Sequence, residues 1–432
     1  MSAYANLLAG HGDASQGSVD PASLGYTTIT APPANGPIVL STSTPLFDDQ
    51  AAAPTTVIGG DGANQVIRSG TGNLTFWAGK GGGAILAGGA FTTSGPAPMT
   101  DNVIGTPLTG GGDWAISTGP GHDTIAAASG NDSISTQTGS SQIFLGSGND
   151  VVVSGGDDTI SGGTGTATIN ASTSGDEVFA GGATALNFLN AGGASTLIGG
   201  SGDATVYGGT GQVTLFGGVS GQDLFFAGQR GDNTLVAGAG AATLGGAGGG
   251  NVFVAGSGGD LIAVGPGRNT VFGGAGADTI FGGSGSNLII GGSGTALINT
   301  GAGGDAVFAG SGRTTVFGGA GNDTISTGRG STVVIAGSGA DQIIAGSGQA
   351  TLQAGSGPDL FVFVNGMSGG SDLITGSTPG LDHLVLDGYG ANAAAAAMAG
   401  ATMGPGGTQL HLADGTTITL AGLSQISRSY FS

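Results

Sequence analysis

The stretches GGAGADTIF (residues 273–281) and GGAGNDTIS (residues 318–326) decide the fold of this chain. In each nine-residue unit, six small or turn-forming residues precede a short run that contains apolar residues. A helix would need apolar residues every three to four positions, so this period instead predicts a turn followed by a short β-strand. The pattern runs from residue 59 to about residue 362, with occasional longer or shortened units.

One such unit cannot bury an apolar face by itself, so the units must stack on one another. Two units per coil give a turn of about 18 residues, whose strands form two parallel sheets. The predicted fold class is therefore all-β, a parallel β-roll or β-solenoid of about 18-residue coils with a small C-terminal β-rich cap. The eighth residue of each unit is expected to point inward, as at Ile280, Val316, Ile325, Val334, Ile343 and Leu352.

The composition excludes several classes of protein. Of 432 residues, 98 are Gly and only 8% are charged, which is unlike an ordinary globular enzyme. The net charge of −20 comes almost wholly from Asp, since Glu177 is the only Glu and Lys80 the only Lys. A chain this acidic repels nucleic acid and anionic lipid. No apolar run is long enough for a membrane-spanning helix, so no membrane insertion is expected.

The chain divides into three predicted regions. Residues 1–57 are rich in Pro and carry no repeat, so they are interpreted as an extended N-terminal arm that is either a flexible tail or a segment that docks on a neighbouring subunit. Within this arm, residues 37–44 could form a strand. The β-roll occupies residues 58–362. Residues 363–432 form the cap, with a helix at Ala391 to Ala399 and a hairpin that turns at Asp414 and Gly415.

The repeat also carries the predicted chemistry. In a unit of pattern G-G-x-G-x-D, the glycines expose carbonyl oxygens and the Asp adds a carboxylate, which together suit Ca²⁺. One turn offers only part of a ligand set, so the cation is expected between successive coils on one edge, where Asp residues recur every 18 positions. The resulting metal-site candidates are Asp305, Asp323, Asp341 and Asp359 on one edge, Asp260 and Asp278 on the opposite edge, and Asp132 and Asp150 earlier in the chain.

The acidic series is interrupted. Between and after Asp260 and Asp278, the units carry Asn269, Asn287 and Ala296, so the predicted calcium sites change edges near residues 287 to 305. Other Asp residues, such as Asp123, Asp158 and Asp176, lie in less regular units. These either bind calcium weakly or merely complete their turns.

The repeats resemble the GGxGxDxUx nonapeptides, where U is a large apolar residue, of the RTX or hemolysin-type calcium-binding family. The resemblance covers roughly residues 59 to 362 and implies a secreted, extracellular or cell-surface protein that folds in external calcium. The C-terminal segment resembles the end of such proteins before a type I secretion signal, which implies the type I secretion machinery as a partner. Gly376 stands where that family often has Asp.

No catalytic motif is evident, so the chain is interpreted as not an enzyme. HExxH and GxSxG are absent, and His11, His122, His383 and His411 are scattered along the chain. An enzyme activity within residues 1 to 130 is the weakest of three hypotheses.

The leading hypothesis is a calcium-binding structural protein that self-assembles at the bacterial cell exterior, as a surface layer, fibre or biofilm matrix. Phe272, Phe308, Phe281 and Phe317 are expected on the outer side of the sheets, either exposed or folded over a corner. The alternative is an adhesin or polysaccharide-binding module, with cell-surface polysaccharide as its partner.

Overall fold

A computed structural model of the chain describes residues 27–29, 31, 36–41, 46–62, 65–70, 72–87, 99–172 and 175–432. It contains two compact units, Met1–Gly211 and Gln212–Ser432. Within each unit the chain winds in coils of about 18 residues, and each coil gives one short strand to each of two parallel sheets. The sequence-based prediction of an all-β parallel solenoid is confirmed.

In the first unit, odd-numbered and even-numbered strands form separate parallel sheets. The odd strands are β1 (Thr27–Ile29), β3 (Leu46–Asp49), β5 (Gln65–Ser69), β7 (Gly83–Leu86), β9 (Trp114–Ser117), β11 (Ser133–Ser135), β13 (Asn149–Ser154), β15 (Thr166–Ala171), β17 (Ala185–Asn190) and β19 (Asp203–Tyr207). The even strands are β2 (Ile38–Val39), β4 (Thr55–Ile58), β6 (Leu74–Trp77), β8 (Val103–Gly105), β10 (Thr124–Ser129), β12 (Gln142–Ser147), β14 (Thr159–Ser161), β16 (Glu177–Phe179) and β18 (Ser195–Ile198).

The second unit repeats this arrangement. Its odd strands are β21 (Asp223–Phe226), β23 (Ala242–Gly245), β25 (Leu261–Ala263), β27 (Ala277–Phe281), β29 (Thr295–Asn299), β31 (Thr314–Phe317), β33 (Thr332–Ile335), β35 (Ala350–Gln353), β37 (Ser371–Thr375), β39 (Thr402–Gly404) and β41 (Thr417–Ala421). Its even strands are β20 (Val213–Phe216), β22 (Thr234–Val236), β24 (Val252–Val254), β26 (Thr270–Phe272), β28 (Leu288–Ile290), β30 (Ala306–Phe308), β32 (Thr324–Ser326), β34 (Gln342–Ile344), β36 (Leu360–Val364) and β38 (His383–Asp387). Strand β40 (Gly407–His411) belongs to the odd sheet, where it pairs in antiparallel fashion with β39 and β41.

The core of the second unit is a stack of aliphatic side chains. Each strand alternates, so that in β27 Ile280 points inward while Thr279 and Phe281 flank it on the outer side. The predicted inward residues are all fully buried: Ile280, Val316, Ile325, Val334, Ile343 and Leu352. Burying an aliphatic side chain of this size stabilises the folded state by about 1.5–3 kcal/mol. Since every coil of this unit buries such residues, core packing contributes to the stability of each of its coils.

Three strands and the first residues of a fourth, β4, lie inside the segment for which the sequence predicted an extended arm. Strands β1 and β3 pair in parallel with each other, and β3 pairs with β5. Likewise β2 pairs with β4, and β4 with β6. The parallel ladders of the first unit therefore include described residues ahead of residue 58. Residues 1–26 of the predicted arm lie outside the described residues.

Turn glycines are required where successive coils touch. Gly319 has φ +76° and Gly321 has φ +125°, a region of backbone conformation that favours glycine. A Cβ atom at these positions would lie 2.1 Å from the carbonyl oxygen of Gly301 and 2.0 Å from that of Gly303. The glycines at these two turn positions thus allow the carbonyl groups of one coil to approach the backbone of the next.

The C-terminal cap contains the predicted helix and hairpin. Helix α1 spans Ala393–Ala399, and β40 and β41 pair in antiparallel fashion around a turn at Gly415, which has φ +92°. Strand β41 continues the odd sheet by pairing in parallel with β37, and β39 pairs with β40. A 3-10 helix, Arg428–Tyr430, follows. None of the helices in the described ranges has the length and apolar character that crossing a bilayer requires.

Candidate metal centre

The candidate ligands share one place in the coil. Each Asp of the predicted sites stands two residues before the inward apolar residue of its strand, which we define as the sixth position of its unit. We call a turn edge odd or even after the strands into which it leads. In the second unit, Asp305, Asp323, Asp341 and Asp359 lie on the even edge, ahead of β30, β32, β34 and β36. Asp260 and Asp278 lie on the odd edge, at β25 and β27.

One carboxylate oxygen of each Asp is held by the preceding coil. The backbone N–H of Asp305 donates to Oδ1 of Asp323 over 2.7 Å, and that of Asp323 donates to Oδ1 of Asp341 over 2.8 Å. Asp341 donates in the same way to Asp359, over 3.2 Å. Because the partners are 18 residues apart, these bonds join consecutive coils on one edge. The Asp side chains are therefore aligned as a ladder along the even edge.

The second carboxylate oxygen divides the candidates into two groups. In Asp305, Asp323 and Asp341, as in Asp132 of the first unit, Oδ2 is buried and accepts no hydrogen bond from any described residue. In the other group, a backbone N–H of the same turn donates to Oδ2: Gly256 to Asp260, Gly274 to Asp278 and Gly355 to Asp359, each over 3.0 Å. For Asp150, the structure shows Oδ1 accepting the N–H of Asp132 over 3.0 Å.

Burial makes the charged form of these carboxyl groups unfavourable. Asp323 is 1% exposed, and burial raises its pKa to about 7, with a smaller contribution from the charges of Asp305 and Asp341. Burial likewise raises the pKa of Asp132 to about 7 and raises the pKa of Asp305 and Asp341. A buried carboxylate without a donor or counter-charge destabilises a fold. A bound divalent cation would remove that penalty.

The chemistry of the donors fits Ca²⁺. At Gly318, the first residue of the unit that contains Asp323, a Cβ atom would lie 2.1 Å from the carbonyl oxygen of Ala336 and 3.1 Å from Oδ2 of Asp323. A backbone carbonyl of the next coil and the unpaired carboxylate oxygen thus face one another across a glycine. Carboxylate and carbonyl oxygens are the ligands that Ca²⁺ prefers. Asp323 and the neighbouring turn carbonyls are the residues that would hold the ion, which would neutralise the buried charge.

Carboxylates alone do not complete a site. Within the described ranges, no group of three or more His, Asp or Glu residues lies close enough to hold a metal ion. Backbone carbonyls would therefore have to supply much of any ligand set. The eight predicted site residues stay predictions as calcium ligands, and a buried, unpaired Oδ2 distinguishes four of them.

Two acidic residues of the cap belong to the same edges but were not predicted. Asp372 accepts the N–H of Ala350 over 2.8 Å, and its Oδ2 has no partner among the described residues. Burial raises its pKa to about 7. Asp382 accepts the N–H of Asp359 over 2.9 Å. Asp372 and Asp382 follow their partners in the preceding coil by 22 and 23 residues, so they do not fit the 18-residue period. Each of them still stands two residues before a buried Ile or Leu, as the predicted Asp residues do before their apolar residues.

The less regular Asp residues of the first unit differ from one another. Asp123 and Asp176 have a buried Oδ2 to which no described group donates. In contrast, Oδ2 of Asp158 accepts hydrogen bonds from the hydroxyls of Thr136 and Ser154, over 2.6 and 2.8 Å. Asp158 therefore shows how an Asp can complete its turn without a metal.

Comparison with known proteins gives one family. The family model of the RTX calcium-binding nonapeptide repeat, which represents four copies of the repeat, matches residues 117–152, 138–169, 198–229, 264–298, 299–334 and 326–361. These ranges include all of the predicted site residues except Asp260. No curated protein sequence matches the chain significantly. Such repeats bind Ca²⁺, and the β-roll that they form is typically structural rather than catalytic.

Proposed function

We propose that this chain, which carries RTX calcium-binding nonapeptide repeats, is a structural protein that self-assembles at the bacterial cell exterior, in a surface layer, fibre or biofilm matrix. RTX repeat proteins are typically secreted by the type I route. Outside the cell, millimolar calcium would occupy even weak sites and stabilise the folded state by mass action. Folding would then follow export, and assembly would follow folding.

The observation that carries this proposal is the uncharged outer surface of the two sheets in the second unit. From β25 to β35, no outward side chain of either sheet is ionisable; the charged residues lie on the turn edges. The outward Phe residues are exposed: Phe272 by 40%, Phe281 by 45%, Phe308 by 50% and Phe317 by 37%. Flat surfaces that expose aromatic rings and lack charge favour association with a second copy of the same surface.

The test is the assembly state of the full chain with calcium and with chelator. We expect light scattering and electron microscopy to show large assemblies in calcium and none in chelator. The variant Phe272→Lys with Phe308→Lys places two charges on the even sheet and should prevent assembly. Its control, Ser293→Lys with Ser311→Lys, places the same charges at exposed positions of the turn edge. If the full chain stays monomeric in calcium at high protein concentration, the proposal is wrong.

A second candidate function, binding of a polysaccharide, is favoured by Trp77 in the first unit. The Trp77 side chain is 50% exposed, and its ring lies over Gly105 of the neighbouring strand, where a Cβ atom would lie 2.7 Å from the ring. An exposed indole that rests on a neighbouring strand can stack on a sugar ring. Trp77→Ala should abolish retention on cell-surface polysaccharide, whereas Ile58→Ala, on the adjacent strand, should not. Equal retention of both variants would refute this function.

A further inference from the structure

The even edge of the second unit carries Asn, not Asp, in the coils that precede Asp305. Asn233, Asn251, Asn269 and Asn287 occupy the sixth position ahead of β22, β24, β26 and β28. Their backbone hydrogen bonds match those of the Asp coils. The N–H groups of Asn233, Asn251 and Asn269 each donate to Oδ1 of the Asn 18 residues later, over 3.1, 2.9 and 3.0 Å. The N–H of Asn287 donates to Oδ1 of Asp305 over 2.6 Å. One continuous ladder therefore passes from Asn to Asp.

The side-chain amide nitrogen of each Asn lies among oxygen atoms. Nδ2 of Asn287 donates to the carbonyl oxygens of Gly282 and Gly285, over 2.7 and 2.8 Å, and to Oδ1 of Asp305 over 3.0 Å. Nδ2 of Asn233 likewise donates to two carbonyls of its own turn and, over 2.8 Å, to Oδ1 of Asn251. The amide group thus joins carbonyls of its own turn to the side chain of the next coil.

The other two Asn residues make the same kinds of contact. Nδ2 of Asn251 donates to the Gly248 carbonyl over 2.9 Å and to Oδ1 of Asn269 over 3.2 Å. Nδ2 of Asn269 donates to the Gly267 carbonyl over 3.3 Å and to Oδ1 of Asn287 over 3.2 Å. The arrangement is therefore a repeated feature of four coils.

An Asp in the place of Asn287 would bring four oxygen atoms together with no proton among them. Its Oδ2 would face the carbonyls of Gly282 and Gly285 and the Asp305 carboxylate, and a carboxylate can only accept hydrogen bonds. In the coils that do carry Asp, the Oδ2 atoms of Asp305, Asp323 and Asp341 have no donor among the described residues. The NH₂ group of Asn supplies the positive end of a dipole at the point where an Asp coil needs a cation.

We propose that the side-chain amides of Asn233, Asn251, Asn269 and Asn287 replace calcium in their coils. This stretch of the even edge excludes the ion, stays folded without it, and ends the calcium-dependent stretch at Asp305. The opposite edge of the same coils supports a calcium-free stretch, because both carboxylate oxygens of Asp260 and Asp278 accept hydrogen bonds. In each residue, Oδ2 accepts a glycine N–H. Oδ1 of Asp260 accepts the N–H of Ala242, and Oδ1 of Asp278 accepts the N–H of Asp260. The inference rests on calcium binding by the Asp coils and not on self-assembly.

The first experiment introduces Asn287→Asp in the full chain and measures bound calcium and thermal unfolding. We expect about one additional Ca²⁺ per chain, a lower unfolding midpoint in chelator, and recovery of the midpoint in calcium. The matched control is Asn299→Asp, which makes the same charge change at an exposed position on the sheet surface. Unchanged stoichiometry, with equal destabilisation in calcium and in chelator, would overturn the proposal.

The reverse substitution keeps the proposal testable if Asn287→Asp does not fold. Asp305→Asn should extend the Asn stretch by one coil, raise the unfolding midpoint in chelator and reduce the bound calcium by about one ion. Asp158→Asn is the comparison, since the hydroxyls of Thr136 and Ser154 already donate to Asp158 and it should bind no calcium. If Asp305→Asn loses stability in chelator, the amide does not replace the ion. Neither readout depends on the assembly state.

Discussion

The even edge of the second unit contains two stretches that share a backbone but differ in the residue at the sixth position. From Asn233 to Asn287, side-chain amides donate to turn carbonyls and to the next coil. From Asp305 to Asp341, the same backbone ladder carries buried carboxylate oxygens without a donor in the described part of the chain. The turn geometry is thus compatible with either residue, and we infer that a coil with Asn needs no calcium where a coil with an unpaired Asp Oδ2 does.

The largest expected effect comes from cavities in the core of the two stretches. In calcium, Ile289→Ala and Ile325→Ala should each reduce the free energy of unfolding by about 2–5 kcal/mol, because both side chains are fully buried. In chelator, only Ile289→Ala should still weaken protection of its own strand against hydrogen exchange, since we expect the coils around Ile325 to be open without calcium. A similar loss of protection at both positions in chelator would remove the distinction between the stretches.

A double substitution removes the ligands and tests the calcium dependence directly. Asp323→Ala with Asp341→Ala should cost about 3 kcal/mol in saturating calcium, the stabilisation expected from an ion at about a hundred times its dissociation constant. In chelator the loss should be small, because no ion is bound there. Denaturant unfolding in both conditions measures the difference. Equal losses would refute the ligand role of these two residues.

Turn glycines test whether the backbone of the two stretches is the same. Gly283 and Gly319 both have φ +76°, and a Cβ atom would lie 2.2 Å from the carbonyl oxygen of Gly265 or 2.1 Å from that of Gly301. Gly283→Ala and Gly319→Ala should therefore destabilise by similar amounts in calcium, each by more than about 1 kcal/mol. A large inequality, measured by thermal unfolding, would show that the turns differ in more than the sixth residue.

The smallest effect is a difference in pH dependence. Burial raises the pKa of Asp323 from 3.8 to about 7, so without calcium the contribution of this group to folded-state stability is most favourable below about pH 4 and is lost as the pH rises through about 7. In chelator, protection around Asp323 should therefore fall as the pH rises, whereas in calcium it should increase because the metal binds the carboxylate. The Asn stretch should change little. Hydrogen exchange at several pH values would measure this, and a parallel response of both stretches would contradict it.

Much of the fold could be predicted because the repeat is local. The two-residue alternation placed Ile280 and Val316 in the core, and the 18-residue spacing placed Asp305 and Asp323 on one edge. Asp372 and Asp382 were missed because the insertions before them disturb that spacing. The sequence does not determine the exposure of the outward Phe residues, since it depends on how each ring packs on its own sheet.

The candidate site was predicted only in part, because one sequence pattern has several structural outcomes. Asp359 and Asp341 occupy equivalent positions, yet Oδ2 of Asp359 accepts the N–H of Gly355 while that of Asp341 has no described donor. In the sequence, the Asn residues only interrupt an acidic series. The structure instead places Asn269 and Asn287 in the same ladder as the Asp residues.

By itself, the sequence determined the nine-residue period, the alternation of inward and outward side chains and the edge on which the acidic residues with 18-residue spacing lie. These follow from covalent spacing and from the need to bury apolar surface. Only the tertiary structure decided which carboxylate oxygens have a hydrogen-bond donor, and which turn carbonyls lie near an amide group. Those partners come from the neighbouring coils and from the backbone of each turn, which are brought together only in the folded chain.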